Sequence, residues 1–346
     1  MDGTAGEIRF PFDDAPAEGE VSAVAPGILW ARLPLPNRLN HVNIYILDDG
    51  DGWSIIDTGM KYDRSEEIWD RLLKGPLAAK PVKRVILTHH HPDHVGFAGW
   101  FQTELGAKLY TTRTAWMFAR MQTLDVQDRH VPQTLNFWRS SGMPAQLLDK
   151  LKDERPFNFA DVVASMPPGF TRIVDGGTIE MGGREWTIRL GNGHAPAHAT
   201  FWSEDGELVL AGDQLLPSIS PNLGVYANEP EANPVLDWLE SCERLSPLAT
   251  ERQLVLPGHK LPYYGLPKRM RQLAENHHGA LDRLRKFLRE PHTAAECFVP
   301  VFKREIEESQ FTLALNEAVA HVLYLWHAGE ARRTMGDDGA WRWQMK

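Results

Sequence analysis

A short histidine-rich loop constrains this chain more than any other feature of its sequence. Residues 88–94 read THHHPDH and follow directly after VKRVIL, a run typical of a short buried strand. Neutral imidazole and carboxylate groups suit zinc and similar divalent ions. Because alternate side chains of the loop turn the same way, we expect His89 and His91 to address one metal ion. Asp93 and His94 would address another, and a histidine-rich surface turn is the alternative that this position disfavours.

A single loop cannot complete two coordination spheres, so further ligands must arise at other strand ends. Three later apolar runs each end in a glycine-containing turn that bears one candidate: His194 in GNGHAPAH, Asp213 in LVLAGD and His259 in QLVLPGH. Taken singly, Asp213 could be a turn or N-cap residue, and His259 could be a loop histidine. Four such turns in chain order are hard to explain as coincidences, and together they predict a two-metal centre.

The apolar periodicity predicts a layered α/β or α+β sandwich. Strand-like and helix-like runs alternate up to about residue 111, and residues 178–256 are mostly strand-like runs. Three turns have the composition of hairpin connections. They are the Asp- and Gly-rich turn before WSIIDTG, the turn in EMGGRE and the turn in SEDGEL. Sheets with helices outside them are the architecture that this order favours. Residues 1–20 form a polar, acidic leader without the features of a secretory signal, and we expect its start to be poorly ordered.

Between residues 112 and 168 the pattern changes to helices rich in Met, Phe and Trp. One interpretation is a small helical subdomain that packs its own apolar faces. The other is a cap over the active site that supplies an apolar substrate pocket. The two interpretations are compatible, and both treat this segment as an insert in a catalytic domain at 21–265.

Residues 266–346 contain three helical stretches followed by a hairpin with Asp338 and Gly339 at its tip. Three helices and a hairpin follow one another in this order in a winged-helix unit. The segment holds 13 Lys and Arg against 11 Asp and Glu, a balance that does not favour DNA reading. We expect packing or dimer formation from it instead, and the insert could also supply a homodimer contact.

Composition narrows the classes of function. The 346 residues, 42% of them hydrophobic, can bury a substantial core, and no apolar run is long enough to cross a bilayer. A net charge of −9 disfavours general nucleic-acid binding, which needs clustered Lys and Arg. Cys242 and Cys297 make no disulfide framework, and we interpret both as packing residues in a reducing cytoplasm. We therefore expect a cytoplasmic protein with a small-molecule substrate and no membrane association.

The motifs THHHPDH, GHAPAH, AGD and PGH, in this order, resemble the metal signature of the metallo-β-lactamase-like hydrolase superfamily. The resemblance covers about residues 28–265, and Asp57 in IIDTG matches a further element of the family. It implies an αββα sandwich with the site at one edge of the paired sheets. It also implies one metal on His89, His91 and His194, a second on Asp93, His94 and His259, and a bridge at Asp213.

Supporting roles are implied by the same resemblance. Asp57 would orient metal ligands, and His198 in GHAPAH would support its loop. His90 points the wrong way by alternation and is left out of the ligand set. The segment LLPSISPNLGVY follows Asp213, so Asn222 and Tyr226 could contact the substrate or only structure the loop.

The function implied is hydrolysis by two divalent metal ions, with Zn²⁺ as the first choice and Fe or Mn as alternatives. A hydroxide held between the ions would attack the carbonyl of a thioester, ester or lactone, with Asp93 orienting it and shuttling its proton. No G-x-S-x-G nucleophile motif is present as a rival hydrolase chemistry. The tail resembles an appendage of the glyoxalase II-like, thioesterase and lactonase branch. Two alternatives of the same fold stay open: an endoribonuclease and a di-iron redox protein.

Overall fold

The structure is a computed structural model that describes residues 6–346, so the first five residues of the predicted leader lie outside it. The strands, in chain order, are β1 (Ser22–Ala25), β2 (Ile28–Pro34), β3 (His41–Asp48), β4 (Trp53–Ile56), β5 (Val82–Ile86), β6 (Lys108–Thr111), β7 (Thr171–Arg172), β8 (Thr178–Met181), β9 (Arg184–Gly191), β10 (His198–Ser203), β11 (Leu208–Gly212), β12 (Leu254–Pro257), β13 (Ala331–Met335) and β14 (Trp341–Met345). The helices are α1 (Asp63–Lys74), α2 (Pro92–Val95), α3 (Ala98–Glu104), α4 (Arg113–Leu124), α5 (Pro132–Ser140), α6 (Ala145–Asp153), α7 (Pro234–Leu245), α8 (Leu266–Phe287), α9 (Phe298–Phe302) and α10 (Phe311–His327).

The chain divides into two compact units that are both discontinuous in sequence. The larger unit takes the described residues up to 126, then 158–221 and 245–270, and the smaller takes 127–157, 222–244 and 271–346. The helical insert is therefore divided: α4 belongs to the larger unit, whereas α5 and α6 belong to the smaller one. The predicted domain boundary between residues 265 and 266 stays a prediction.

A seven-stranded sheet in the order β1-β2-β3-β4-β5-β6-β7 forms one layer of the larger unit. Strands β1 to β4 pair antiparallel, and the predicted hairpin joins β3 to β4 with Asp48 opposite Trp53. Strands β4 to β7 pair parallel. A parallel pair needs a crossover, which α1 supplies between β4 and β5. The next crossover, from β5 to β6, begins with the histidine-rich loop, so that loop lies at the end of a central strand.

The second sheet of the larger unit has five strands in the order β12-β11-β10-β9-β8. Its strands pair antiparallel except for β11 and β12, which run parallel. The predicted hairpins are present at both turns. Gly182 and Gly183 connect β8 to β9 with φ values of 61° and 67°, which a two-residue turn of the mirror-image type requires.

The period-2 alternation of β3 shows how the larger unit is layered. Tyr45 and Leu47 face an inner core shared with residues of the second sheet, among them Trp186, Phe201 and Leu256. Ile44 and Ile46 face an outer core that is filled by side chains of α1 and α3, including Trp69 and Phe101. Two sheets thus pack face to face, with helices on the outer face of the larger sheet.

The smaller unit contains most of the predicted tail: α8 from residue 271 onwards, the short α9, α10 and the β13–β14 hairpin. Gly339 lies in the hairpin turn with a φ of 77°, next to Asp338, as expected. On this hairpin, the Arg333 guanidinium stacks on the rings of Trp326, Trp341 and Trp343 at 4.4, 4.6 and 5.7 Å. The order of elements matches the prediction, whereas the description as a winged helix stays a prediction.

Cys242 and Cys297 are buried and free of disulfides, consistent with packing residues. Burial raises the pKa of both thiols well above the usual range. Within residues 6–346 no helix has the length and apolar character needed to cross a bilayer.

Candidate metal centre

The predicted ligands and Asp57, the predicted orienting residue, meet at one edge of the larger unit, where five strands end. Asp57 follows β4, and the loop of His89, His91, Asp93 and His94 follows β5. The second sheet adds the remaining three from turns that follow β9, β11 and β12: His194, Asp213 and His259. Because β4 and β5 are parallel, as are β11 and β12, their carboxyl ends lie side by side and bring these side chains together.

His89, His91 and His194 form the first group of possible ligands. The Nε2 atom of His89 lies 3.0 Å from Nδ1 of His91, which lies 3.1 Å from Nε2 of His194. One ring nitrogen from each residue falls within 4.8 Å of the others. Three imidazole nitrogens converging at these distances are the donor set of a zinc-type site.

Asp93, His94 and His259 form the second group. The Asp93 Oδ2 atom lies 3.7 Å from Nε2 of His94 and 3.4 Å from Nε2 of His259. Asp93 and His94 lie in the short helix α2, His259 lies in the turn after β12, and both imidazoles are buried. Two imidazoles and a carboxylate are again a donor set that suits a divalent ion.

Asp213 lies between the two groups. Its Oδ2 atom is 3.5 Å from Nε2 of His194 in the first group and 3.1 Å from Nε2 of His259 in the second. Within the described chain, Nε2 of His94, Nε2 of His259 and Oδ1 of Asp213 are buried without a hydrogen-bond partner. Buried polar atoms normally find a partner, so these orphaned atoms fit a site that binds cations.

The charges of the centre also favour cations. Burial lowers the pKa of His89 and His91 well below the usual value, so both rings are neutral and able to ligate. Burial acts in the same direction on His259, but the carboxylates of Asp213 and Asp93 outweigh it and raise the pKa of His259 to about 9. The first group therefore offers neutral imidazoles as ligands. In the second group the carboxylates of Asp93 and Asp213 stabilise a positive charge.

A chain of hydrogen bonds orients the ligands of the loop after β5. The Asp57 carboxylate accepts from the backbone N–H of Thr88 at 2.8 Å and from its hydroxyl at 2.7 Å, and it meets Nδ1 of His94 at 2.7 Å. The Thr88 hydroxyl in turn lies 2.9 Å from Nδ1 of His89. Because Nδ1 of His89 and of His94 is engaged in this way, Nε2 of each ring faces the centre. Asp57 has a φ of 59°, a conformation uncommon for a residue other than glycine.

The loop after β12 is held by residues that the sequence analysis missed. The His259 Nδ1 donates to the backbone carbonyl of His41 at 2.7 Å, and the His41 ring accepts from the N–H of Lys260 at 2.8 Å. Asn43 donates to the carbonyls of Pro257 and Lys260, both at 2.8 Å. His41 and Asn43 lie in β3, far away in sequence, so no local motif could have indicated these contacts.

His198 and His90 take different places around the centre. The His198 Nε2 accepts from the backbone N–H of Asp213 at 3.1 Å, and its ring stacks on His89 with centroids 4.6 Å apart. This is the place that a residue supporting the loop would occupy. The His90 ring contacts the ring of His91, with centroids 4.7 Å apart, and that of Phe118 in α4, with centroids 5.0 Å apart, and it belongs to neither group of ligands.

Gly258 explains why the ligand loop after β12 contains PGH. A Cβ atom at this position would lie 2.2 Å from Oδ1 of Asp213 and 2.9 Å from Cε1 of His94. No side chain fits there without moving a candidate ligand. The glycine therefore allows the loop to approach both Asp213 and His94.

Asn222 and Tyr226 belong to the smaller unit. The Asn222 Nδ2 donates to the carboxylate of Glu317 at 2.7 Å. The Tyr226 side chain is half exposed, at 48%. A contact of either residue with the substrate stays a prediction.

The chain is similar to known proteins over most of its length. The model of the "Metallo-beta-lactamase superfamily" matches residues 37–287, and the model of the "Metallo-beta-lactamase-like, C-terminal domain" matches residues 281–346. The "Probable metallo-hydrolase YqjP" of Bacillus subtilis (strain 168) is 27% identical, over 85% of this chain and 91% of that protein.

Solved structures give the same result for the fold. A beta-lactamase domain protein from Burkholderia ambifaria is 35% identical, with a TM-score of 0.89 over 98% of both chains. A metallo-beta-lactamase family protein from Thermus thermophilus is 28% identical, with a TM-score of 0.77 over 94% of this chain and 100% of that one. The predicted αββα fold class is thereby confirmed.

Proposed function

We propose, from the premise that this chain belongs to the metallo-beta-lactamase superfamily, that it hydrolyses a thioester, ester or lactone of small-molecule size. One observation carries the proposal. The Asp213 carboxylate lies between two groups of ligands and is within 3.5 Å of an imidazole from each. Two ions joined by one carboxylate are the arrangement that hydrolases use to activate water.

The ligand roles follow from the two groups. His89, His91 and His194 would hold one divalent ion, and Asp93, His94 and His259 would hold the second. The Asp213 carboxylate would contact both. When bound, Zn²⁺ or a similar ion would supply Lewis acidity and lower the pKa of water at this site. Asp57, Thr88 and His41 would keep the imidazoles turned towards the ions.

Asp93 is the residue best placed to move a proton. Its side chain is 18% exposed, against 7% for Asp213 and 3% for Asp57, so Asp93 is the carboxylate of the centre nearest to solvent. Burial alone would raise the pKa of Asp93, but the imidazoles of His94 and His259 outweigh it and lower that pKa. The carboxylate is therefore ionised at neutral pH. It can orient the attacking water, accept its proton and return that proton to the leaving group.

An apolar substrate group is supported by α4. This helix touches the ligand loop through Phe118, which packs against His90. It also carries Met117, Met121 and Leu124 at spacings of four and three residues, each more than half exposed. Exposed side chains of this size at helical spacing form an apolar stripe, which suits an acyl chain or a hydrophobic ring.

The contacts of the segment after Asp213 disfavour a glutathione group in the substrate. Tyr263 and Arg269 could have bound the carboxylates of a glutathione moiety. However, the Tyr263 hydroxyl donates to the carbonyl of Leu215, and the Arg269 guanidinium donates to the carbonyls of Leu216 and Ile219. Both residues thus fasten the segment that follows Asp213, and we favour an acyl substrate over a glutathione conjugate.

The experiment measures turnover and metal content on the same full-length sample. Thioesters, esters and lactones of increasing acyl length are assayed with and without a chelator, with RNA as a further substrate. We expect chelator-sensitive hydrolysis of a carbonyl substrate, lost in His89→Ala and in Asp93→Asn. The matched control is His278→Ala, an exposed histidine of α8, which should keep wild-type turnover. Turnover that survives His89→Ala or chelation would overturn the proposal.

Two outcomes would redirect the assignment to another function of the same fold. RNA cleavage that falls steeply with salt would indicate the endoribonuclease. Visible absorption from bound iron, without hydrolysis of any carbonyl substrate, would indicate a di-iron redox protein, since zinc is colourless.

A further inference from the structure

A second cluster of metal-ligating side chains lies in the smaller unit, remote in sequence from the centre described above. His277 of α8 faces Glu317 and His321 of α10, and one ligand atom from each lies within 4.8 Å of the others. Glu317 and His321 are four residues apart, so they project from the same face of their helix. Both histidines are 1% exposed.

The hydrogen bonds of His321 fix which of its nitrogens faces the cluster. Its Nδ1 lies 2.8 Å from the backbone carbonyl of Glu317. A carbonyl only accepts, so Nδ1 carries the proton and donates it. The Nε2 atom of His321 therefore presents a lone pair, and it lies 3.2 Å from Nδ1 of His277. An imidazole whose other nitrogen donates to a carbonyl is the usual form of a histidine ligand.

Neither neutral tautomer of His277 gives both of its ring nitrogens a hydrogen-bond partner among the described residues. With the proton on Nδ1, it donates to His321, but its own Nε2 lone pair is buried without a donor among the described residues. With the proton on Nε2, that N–H has no acceptor, and two imidazole lone pairs face each other at 3.2 Å. In both cases a buried lone pair lacks a positive partner, which costs free energy.

Glu317 would supply the negative charge that a divalent ion needs. One carboxylate oxygen accepts from Nδ2 of Asn222 at 2.7 Å, which holds the group in place. Two imidazoles and one oriented carboxylate are a known donor set for zinc, with room for a water as the fourth ligand. Mg²⁺ and Ca²⁺ prefer oxygen ligands, so this set selects against them.

We propose that His277, Glu317 and His321 form a further divalent-metal site, for Zn²⁺ or a similar transition-metal ion, that cross-links α8 to α10. The ion would take the unpaired imidazole lone pairs and the Glu317 carboxylate. It would tie together two helices that are distant in sequence, as the 44-residue separation of His277 and His321 shows. Binding of an ion to the folded chain alone then stabilises it.

The test is metal content of the full chain after reconstitution with Zn²⁺ and removal of loosely bound ion. We expect His277→Ala and His321→Gln each to hold one equivalent less than the wild type. The matched control is His278→Ala, the neighbouring exposed histidine, which should keep the wild-type content. Because the readout is a difference between variants, it does not depend on whether the first centre binds metal or catalyses hydrolysis. Equal metal content in wild type and His277→Ala would overturn the site.

A second measurement guards against a variant that fails to fold. Glu317→Gln keeps the shape of the side chain and removes its charge. Competition with a coloured chelator should show that one equivalent of Zn²⁺ or Co²⁺, the one that His277→Ala lacks, loses at least about tenfold in affinity in this variant. The Co²⁺-loaded wild type and the Co²⁺-loaded His321→Gln variant are also compared by visible absorption. The difference between the two spectra should show a Co²⁺ ion bound by nitrogen ligands at this site. Unchanged affinity in Glu317→Gln would contradict the assignment.

Discussion

Asn43 donates a hydrogen bond to the backbone carbonyl of Pro257 at 2.8 Å, across 214 residues of chain. The same amide group donates to the carbonyl of Lys260, and its oxygen accepts from the indole N–H of Trp30 at 3.0 Å. The two acceptors bracket His259, so a residue of the first sheet holds in place a candidate ligand of the second. All of these atoms lie in the larger unit, and Asn43 is buried.

Replacing Asn43 by leucine should therefore destabilise the larger unit and loosen the His259 loop. The change takes the side-chain acceptor away from the Trp30 indole N–H and from the Arg32 Nε–H. It also removes one of the two hydrogen bonds at each carbonyl, since Tyr45 still donates to Pro257 and Arg32 to Lys260. We expect a loss of about 3 kcal/mol in the free energy of unfolding. Urea unfolding in the presence of a chelator measures it without a contribution from metal. Asn37→Ala, at an exposed turn, should cost less than about 0.5 kcal/mol. Equal losses in the two variants would rule out this role for Asn43.

Thr88 should control the affinity of the first ion through its hydroxyl. Thr88→Val keeps the size of the side chain but can neither donate to Asp57 nor accept from His89. We expect ion affinity to fall about 10- to 100-fold, as for other groups that orient a ligand. Thr88→Ser restores the hydroxyl and should restore most of the affinity. Competition with a coloured chelator measures both variants, and wild-type affinity in Thr88→Val would show that the hydroxyl is dispensable.

The apolar stripe on α4 predicts a dependence on acyl length that rests on the proposed function. Met121→Gln and Met117→Gln should each raise the KM for long-chain substrates roughly fivefold to tenfold, because about 1 kcal/mol of apolar contact is lost. Short-chain substrates should be unaffected, and so should kcat. Val299→Thr replaces an equally exposed apolar residue of the smaller unit and serves as the control. An equal rise in KM for short and long chains would argue against contact with the acyl group.

The ion pair of Arg285 and Glu330 predicts a pH-dependent part of stability. The guanidinium makes two hydrogen bonds to the carboxylate, at 2.6 and 2.9 Å, and Arg285 lowers the pKa of Glu330. A carboxyl with a lowered folded-state pKa adds stability above its unfolded pKa of about 4.3, and loses it as the pH falls through the folded value.

Glu330→Gln should accordingly cost about 1 kcal/mol at about pH 7, a modest figure because both side chains are about a third exposed. At about pH 3 and below the difference from wild type should shrink towards zero. Denaturant titrations at a series of pH values measure it. Glu290→Gln, at an exposed position, should show no such dependence, and a constant cost of Glu330→Gln at every pH would refute the assignment to charge.

The ligand loop was predictable because its signal is local. His89, His91 and Asp93 stand within a few residues of one another, directly after a strand that apolar periodicity identifies. The two-residue turn at Gly182 and Gly183 was predictable for the same reason, since its chemistry is written in adjacent residues. In each case short-range geometry determines the outcome.

The contacts that hold the loops were not predictable, because they join distant parts of the chain. His41 and Asn43 look like ordinary polar residues within a strand, and only the approach of β3 to β12 gives them partners. The division of the insert between two units likewise depends on which elements α5 packs against. The apolar periodicity of α5 predicts a helix but not its packing partner. His277 and His321 are 44 residues apart in sequence, and only the approach of α8 to α10 brings their rings together.

The parallel pairing of β11 with β12 has a consequence for synthesis. A chain emerging from the ribosome folds from its N-terminus as it grows, at roughly 5–20 residues per second. His89, His91 and His194 can gather as soon as β9 is made, but His259 cannot arrive until β12 has docked beside β11. We therefore expect His259 to complete the second group of ligands last. A chain interrupted before Leu254 would lack one of the three imidazoles that lie within 3.5 Å of the Asp213 carboxylate.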